Sequence, residues 1–539
     1  MVELRKHRWA ALGAAAVCIA VSGAARGAAG DLDAGFGSGG KLTIDFSGTE
    51  DQLGGIARQP DGRIVAVGST LIANAVGAKD VALVRILPNG SPDPSFGVGG
   101  RATVHWPGSF YSVLVGVRIA ADGKILASGW TDSGLQPPGG TNQQFALARF
   151  NADGSADASF GSGGLVVTEL NQYYDLAFGI ALQADGKIVV AGTEWYGMGY
   201  RDPTTFAVVR YNTDGTLDSG FGTNGIATTK VAGRDAVGFA LGIDATQRIV
   251  VGGWVLDNSA GGISSGLARF LPDGTLDASF GDGGTVVTDL VDAGYSDDEI
   301  AALTIQPDGR IVVAGRTTPI ANEPEGMLVM SYDDAGALDA TFGDGGVVNV
   351  ALPDADAEAY AVAIDKKGSI LVGGEAGALG FGNVTGVAFS NDPDAAAATF
   401  ALARLLPNGA LDATFGNGGL VTTRFDGDDG LSGSIGAIDP GAGGLLVAGL
   451  VRSSNHAMST FSSNADFAFA RYDDGYPIFA DGFDPPLPPG KMPSYLAPAR
   501  ASGGPRANFS KTIAWTTVRD IACALFCTHG DLLHDQSAR

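Results

Sequence analysis

One nine-residue pattern, met seven times along the chain, constrains the fold more than anything else. It first appears as Leu32-Asp33-Ala34-Gly35-Phe36-Gly37-Ser38-Gly39-Gly40. Its phenylalanine recurs as Phe96, Phe160, Phe221, Phe280, Phe342 and Phe415. An aspartate stands three residues before each one: Asp33, Asp93, Asp157, Asp218, Asp277, Asp339 and Asp412. The spacings run from 59 to 73 residues. A period of that length marks one supersecondary unit, copied and stacked because a single copy cannot bury its own apolar face.

The third copy shows what the unit is. Residues 165–170 follow the Phe-Gly motif, 180–183 come next, and Asp185-Gly186 marks a tight turn. Residues 187–192 read KIVVAG, residues 206–211 read FAVVRY, and Asp214-Gly215 turns the chain into the next motif. Short apolar or alternating runs closed by Gly, Asp or Pro are strands, not helices. Pro60-Asp61-Gly62 and Pro307-Asp308-Gly309 are hairpin turns, where Pro presets one φ and Gly accepts the positive one. The 83 glycines fit many such turns.

The strands from 180 and 187 are termed a and b, the strand from 206 c, and the segment after the motif d. Four antiparallel strands in about 60 residues make one propeller blade. The chain opens with a d segment (41–46) and ends on a c segment (467–472) with no further motif. The expectation is an all-β, seven-bladed β-propeller with four antiparallel strands per blade, closed by the N-terminal strand joining the last blade. An open stack would instead leave two edges to protect.

The segments QPDGRIVAVG (59–68), ALARF (146–150) and LPDGTLDASFGDGG (271–284) resemble the delta-60 repeat of bacterial exported proteins. The resemblance covers residues 31 to 475. It departs at the turns Asp244-Ala245-Thr246-Gln247 and Pro440-Gly441-Ala442-Gly443-Gly444. It implies a propeller-like surface or secreted module and no settled biochemical activity.

The N-terminus reads as an export signal over residues 1–29: Arg5, Lys6 and Arg8, an apolar run from Ala10 to Val21, then small residues before a cleavage point after Ala29. The apolar run is too short to span a bilayer, so no transmembrane segment is expected. The protein is expected to be secreted, periplasmic or on the cell surface. The only cysteines are Cys18, in the leader, and Cys523 and Cys527, in the tail, so the repeats hold together without disulfides. Residues 476–539 break with the repeat and read as a linker and disordered tail. The formal charge of −24 repels phosphate backbones and excludes nucleic acid as the partner.

The chemistry is less legible. The Phe-Gly-x-Gly-Gly loop lacks the Lys-Ser or Lys-Thr of a phosphate loop and opens no helix, so its Phe, Gly and Asp read as packing, turn and capping residues. Arg85, Arg149, Arg210, Arg269, Arg404 and Arg471 share one position in strand c, where unit five has Ser331; they are expected to pair bidentately with the repeated aspartates. Gly262-Ile263-Ser264-Ser265-Gly266 has nucleophile-elbow spacing without the strand-turn-helix setting. The repeats hold only His105 and His456, which leaves no histidine triad, and no catalytic residue is assigned.

Acidic clusters at Asp297-Asp298-Glu299, Asp354 with Asp356 and Glu358, and Asp426 with Asp428 and Asp429 have the carboxylate density that calcium uses, but no established calcium-loop spacing. No cofactor is called for; calcium is the one cation with donors at hand. The loops joining d to a and b to c vary most and emerge on one face. They carry the expected ligand-binding residues: Trp130, Trp195 and Trp254 near the ends of strands b, with Tyr111, Tyr173, Tyr174 and Tyr295 before strands a. Rings beside carboxylates suit a glycan or a protein ligand. The functional expectation is a non-catalytic binding or adhesion module; the alternative is a polysaccharide hydrolase or lyase using channel carboxylates.

Overall fold

The computed structural model describes residues 27–475 except 47–49, 73–77, 107, 133–141, 172, 197–203, 257–261, 291–296, 319–324, 353–354, 378–381, 384–386, 389–397, 426–431, 442 and 453–464. Residues 1–26, where the export signal is expected, the segment from 476, His456, Tyr295, Asp354 and the aspartates at 426, 428 and 429 lie outside the described residues.

The described residues are all-β and propeller-like, with no helix among them. Five four-stranded sheets run antiparallel in the order a-b-c-d. An eight-stranded sheet joins two further a-b-c-d sets through a single parallel pairing of Tyr174 with Gln143. In one of the four-stranded sheets the d strand, Lys41–Ile44, comes from the start of the described chain and pairs with the c strand Ala465–Tyr472 near its end, in the register Lys41↔Ala470 to Ile44↔Phe467. The a strands are Asp51–Arg58, Ser112–Ile119, Tyr174–Leu182, Ala236–Ile243, Glu299–Ile305, Asp356–Ile364 and Ser432–Asp439. Each a strand packs on the next, and Asp51–Arg58 also packs on Ser432–Asp439.

Two strand boundaries differ from expectation. Strand d is only four residues long, as in Leu165–Thr168, and strand a begins earlier, at Tyr174 instead of Ile180. The cause is a β-bulge in every a strand, which shifts the register between Leu53 and Gly55, Leu114 and Gly116, Ala177 and Gly179, Gly238 and Ala240, Ile300 and Ala302, Ala359 and Ala361, and Ile435 and Ala437. A bulge breaks the period-2 alternation by which a strand is recognised. The repeated glycine of strand b faces this bulge. A Cβ on Gly68, Gly192 or Gly315 would sit 1.8 to 1.9 Å from the carbonyl oxygen of Gln52, Leu176 or Glu299, so no other residue fits.

The motif residues knit neighbouring sheets. Phe36, Phe96, Phe160, Phe221, Phe280, Phe342 and Phe415 are almost wholly buried. A guanidinium lies over six of them, 4.4 to 4.8 Å from the ring centroid, as for Arg149 on Phe160 and Arg85 on Phe96. The arginines do meet the repeated aspartates, but not as bidentate forks. Arg85 Nε donates to Asp93 Oδ2 at 2.8 Å, while Asp93 Oδ1 accepts from Ser95 N–H and O–H. The carboxylate is divided between the arginine and its own turn, which leaves Nη1 free to reach the next unit. There it donates to the Ala152 carbonyl from Arg85, to Thr213 from Arg149 at 2.8 Å, to Asp474 from Arg404 at 2.9 Å and to Pro88 from Arg471.

Asp157 is held well below the usual carboxylate range by hydrogen bonds from Lys124 and Ser159, which outweigh burial. In Asp93, Asp218, Asp277 and Asp412 burial opposes the same lowering and loses to the Arg and turn donors. Unit five, which has Ser331 in place of the arginine, uses Arg310 from the a-b turn, 3.4 Å from Asp339.

Candidate functional site

The residue pair next to the glycine pair at each bulge occupies an equivalent level in every unit. These pairs are Gln52–Ser69, Val113–Trp130, Leu176–Thr193, Val237–Trp254, Glu299–Arg316 and Glu358–Glu375, with Ser434–Leu450 in the last sheet. The backbone repeats faithfully here and the side chains do not. In units two to four the pairs are apolar except for Thr193, and in units five and six they are ionic.

On the apolar side, Trp130 packs with Val113 and Leu176 of the following unit, and its ring meets Phe178 at 5.5 Å, edge to face. Phe178, the bulge residue, meets the bulge residue Phe239 at 5.1 Å. Trp195, Trp254, Tyr174, Val237 and Ile263 form the adjoining cluster. Trp130, Trp195 and Trp254 are 3, 5 and 7% exposed. They lie inside strands b, not in the loops beyond, and cover the seams between sheets. Tyr174 is buried, Tyr111 is half-buried and Tyr173 is 41% exposed. Two rings not singled out in the sequence, Phe110 and Tyr196, are also exposed.

On the ionic side, Arg316 is buried between two inner strands. Its Nε donates to Glu299 Oε2 at 3.1 Å, and its Nη1 reaches Glu358 Oε1 at 3.5 Å across the seam. The Tyr360 hydroxyl, on the bulge residue of its strand, lies 2.6 Å from Glu358 Oε2 and 3.2 Å from Glu375 Oε1. Glu325, at the start of strand c, donates its N–H to Asp356 Oδ1 and accepts the Ala357 N–H. Glu299, Glu358 and Glu375 thus surround one guanidinium and one phenol, and Glu325 lies near enough to feel the charges of Glu358 and Arg316.

Burial raises the pKa of Glu299, with Arg316 opposing. Burial and the charge of Glu358 push Glu325 up to about 7. Burial and Glu358 raise Tyr360, while Glu299 and Glu358 hold Arg316 charged against its burial. A carboxyl titrating near neutrality beside a fixed guanidinium can accept or donate a proton and can hydrogen-bond hydroxyls or amines. Sequence reasoning found Glu299, Asp356 and Glu358 only as loop acids. Arg316, Glu325, Tyr360 and the inward role of Glu375 were missed, although aligning the residue after the strand-b glycine in each unit shows the change from Trp to Arg and Glu.

A second buried carboxyl pair lies in unit three. Asp175 and Glu194 are partners across strands a and b. Asp175 Oδ2 accepts the Leu170 and Asn171 N–H groups, and burial raises its pKa to about 7, with Glu194 adding to the shift. Glu194 Oε2 accepts from Tyr196 and Thr205. Ser264 and Ser265 are buried within the c strand Ile263–Phe270, so the elbow-like pentapeptide is not an elbow. His105 pairs with Asp80 at 2.7 Å. No helix among the described residues is long and apolar enough to cross a membrane.

Six segments of the chain, 59–96, 120–160, 183–221, 248–280, 306–342 and 384–415, match the family described as "Domain of unknown function (DUF5122) beta-propeller". Each segment ends on the phenylalanine of the repeated motif. No curated protein matches the chain. Among solved structures it is similar to a catalytically inactive virginiamycin B lyase from Staphylococcus aureus, at 10% identity over 80% of this chain and 98% of that one, with a TM-score of 0.40. It is also similar to an ulvan lyase, at 9% identity over 80% and 96% with a TM-score of 0.42, and to the polysaccharide lyase Uly1, at 11% over 78% and 90% with a TM-score of 0.43. Likeness at this level says nothing of substrate. With its motif, its four-stranded sheets and these six matched segments, the chain is a repeat protein of the β-propeller type.

Proposed function

We propose that this chain is an exported, seven-bladed propeller of delta-60-like repeats, closed by its first strand, that binds an extracellular glycan on the face where strands a begin. Closure is supported by the pairing of Lys41–Ile44 with Ala465–Tyr472 and by the bond from Arg471 to the Pro88 carbonyl. The binding reading is carried by one observation: the layer before the bulges is asymmetric. A ring that served only as a scaffold would repeat this layer as it repeats the Asp-x-x-Phe-Gly motif. Here instead an aromatic wall stands in units two to four and an Arg-Glu-Tyr cluster in units five and six. Carboxylates, a guanidinium and a phenol give directional bonds to sugar hydroxyls, and exposed rings such as Tyr173 and Tyr196 give apolar contact at small entropic cost. The opposite face, made of Asp-Gly turns and Phe-Gly loops, varies little.

The enzymatic reading is favoured by one specific feature, the near-neutral pKa of Glu325 beside Arg316 and Tyr360. Screening the mature protein on a glycan array, followed by assays for hydrolysis and elimination on every bound glycan, separates the two. Binding without turnover supports the module; turnover lost in Tyr360→Phe or Glu325→Gln supports the enzyme; no glycan bound at all removes both.

A further inference from the structure

Each strand a packs on the next and the first packs on the last, so these strands line the inside of the ring. Strand b and the neighbouring units cover them from the other directions. Among the described residues of the seven strands a, one alone is exposed: Arg118, the seventh of the eight residues of Ser112–Ile119. The matching positions in the other units hold Ala57, Ala181, Gly242, Thr304, Ala363 and Asp439. The repeat therefore does not require a cation here. The one acid at this level is already engaged: Arg58 Nε donates to Asp439 Oδ2 at 2.7 Å, and Gly441 N–H donates to Oδ1 at 2.9 Å.

A second observation concerns the guanidinium itself. Arg118 Nη1 donates to the Val117 carbonyl at 2.8 Å, while Nε and Nη2 have no acceptor, and no carboxylate pairs with the group, among the described residues. Arg316, which is also enclosed, has Glu299 at 3.1 Å and Glu358 at 3.5 Å. Surrounding protein lowers the pKa of Arg118 from the ordinary arginine value, with no acid acting against it. Water reaches this side chain and protein crowds it, a combination that belongs to the wall of an enclosed, wet space. There is room inside the ring: a Cβ on Gly436, the bulge residue of unit seven, would meet nothing within 4 Å. A desolvated charge without a counter-charge costs free energy unless an anion joins it.

We propose that Arg118 anchors a carboxylate-binding site inside the ring, near the ends of strands a, an inference that rests on the ring closure proposed above and not on the glycan site. The Nε–H and the adjacent Nη2–H lie side by side and form a fork that takes both oxygens of one carboxylate. A single guanidinium balances a single negative charge, so the site selects a monoanion over a phosphate dianion. The formal charge of −24 on the chain adds to that selection by repelling multiply charged anions. The carboxylate is carried by a small organic acid or by a uronic acid sugar entering the ring. Its binding stabilises the folded protein by mass action.

The test is calorimetric titration and thermal melting of the full mature protein at constant ionic strength. The probes are acetate for the free acid and galacturonate for the acidic sugar, with galactose and chloride as controls. A carboxylate should bind at one site and raise the melting temperature above that in chloride. Tighter binding of galacturonate than of acetate assigns the site to an acidic sugar, and equal binding assigns it to a free acid. Arg118→Gln should weaken binding by at least about tenfold and abolish the rise. Without added carboxylate, Arg118→Leu should melt no lower than the parent, because it removes an uncompensated charge. A lower melting temperature in both variants would make Arg118 a structural residue and overturn the proposal. So would the absence of carboxylate binding, binding unaltered in Arg118→Gln, or chloride or galactose binding as tightly. Ring closure is read separately from Arg471→Ala: an unchanged melting temperature there removes the ring, whereas a lowered one with no carboxylate bound removes this site alone.

Discussion

Arg471 donates through Nε to Asp33 Oδ2 at 2.8 Å, joining residues 438 positions apart. The same bond elsewhere is local: Arg85 reaches Asp93, and Arg269 reaches Asp277, only eight residues away. One contact therefore serves as a turn lock in most units and as a clasp between chain ends in the last. Replacing Arg471 by Ala should lower the melting temperature of the whole protein cooperatively and raise susceptibility to proteolysis near residue 31. Arg85→Ala, which takes the main partner from a more deeply buried Asp93 and leaves it Arg63 and its own turn, should cost more, about 3 kcal/mol, the lower end of the usual penalty for breaking a buried pair. Urea melts of both variants check the order.

The strand-b glycines make a sharper prediction. In Gly315→Ala the new Cβ would meet the Glu299 carbonyl at 1.8 Å, so the bulge must move. Stability should fall by about 1–3 kcal/mol, the usual range for overpacking. Ligand binding should fall with it, because Glu299 holds Arg316. Gly345→Ala, with nothing near its Cβ but a positive φ, should cost stability and leave binding intact.

The tryptophans test where recognition ends and packing begins. Trp254 is buried among Trp195, Val237 and Ile263, so Trp254→Ala should destabilise by about 3–5 kcal/mol. Tyr173→Ala removes an exposed ring and should leave the melting temperature nearly unchanged while weakening glycan binding, whereas Tyr196→Ala, which also takes a donor from buried Glu194, should lower both. Denaturant melts alongside binding titrations distinguish the two sets.

The dependence on pH has two opposed parts. Asp93, Asp157, Asp218, Asp277, Asp339 and Asp412 have lowered pKa values in the folded state, so their stabilisation is present above the unfolded value near 4 and is lost as pH falls through the folded pKa. Asp175 and Glu325, raised to about 7, act the other way: the folded state holds their protons more tightly, and stability falls as pH rises from about 4 to about 7. The melting temperature should therefore be higher at pH 5 than at pH 7.5. Asp175→Asn should raise it at pH 7.5 more than at pH 5. A variant equally stable at both pH values relative to the parent would show that Asp175 does not titrate in this window.

The architecture was readable because it is repeated. The Asp-x-x-Phe-Gly motif and the Asp-Gly turns report local backbone needs, which act within a few residues and leave a mark in every copy. Gln247 even shows the need where glycine is missing, adopting φ +67° at the turn that departs from the pattern. The bulges were hidden because they disturb the alternation by which strand a would be recognised. The site was hidden for a related reason. Arg316, Glu325, Tyr360 and Glu375 are brought together by contacts between neighbouring units, and nothing in their local sequence marks them. The tryptophans were visible but not their direction, since a ring at the end of a strand can face a ligand or a seam, and here packing against the next sheet decides.

The claim at the centre of this account is that the Arg316 cluster recognises a glycan. The most direct measurement is a binding titration of an array-identified glycan against the parent, Tyr360→Phe and Glu325→Gln, with melting temperatures in parallel. Affinity should fall at least about tenfold in each variant, while the fold stays intact. Unchanged affinity in both variants, with the parent still binding, would contradict it.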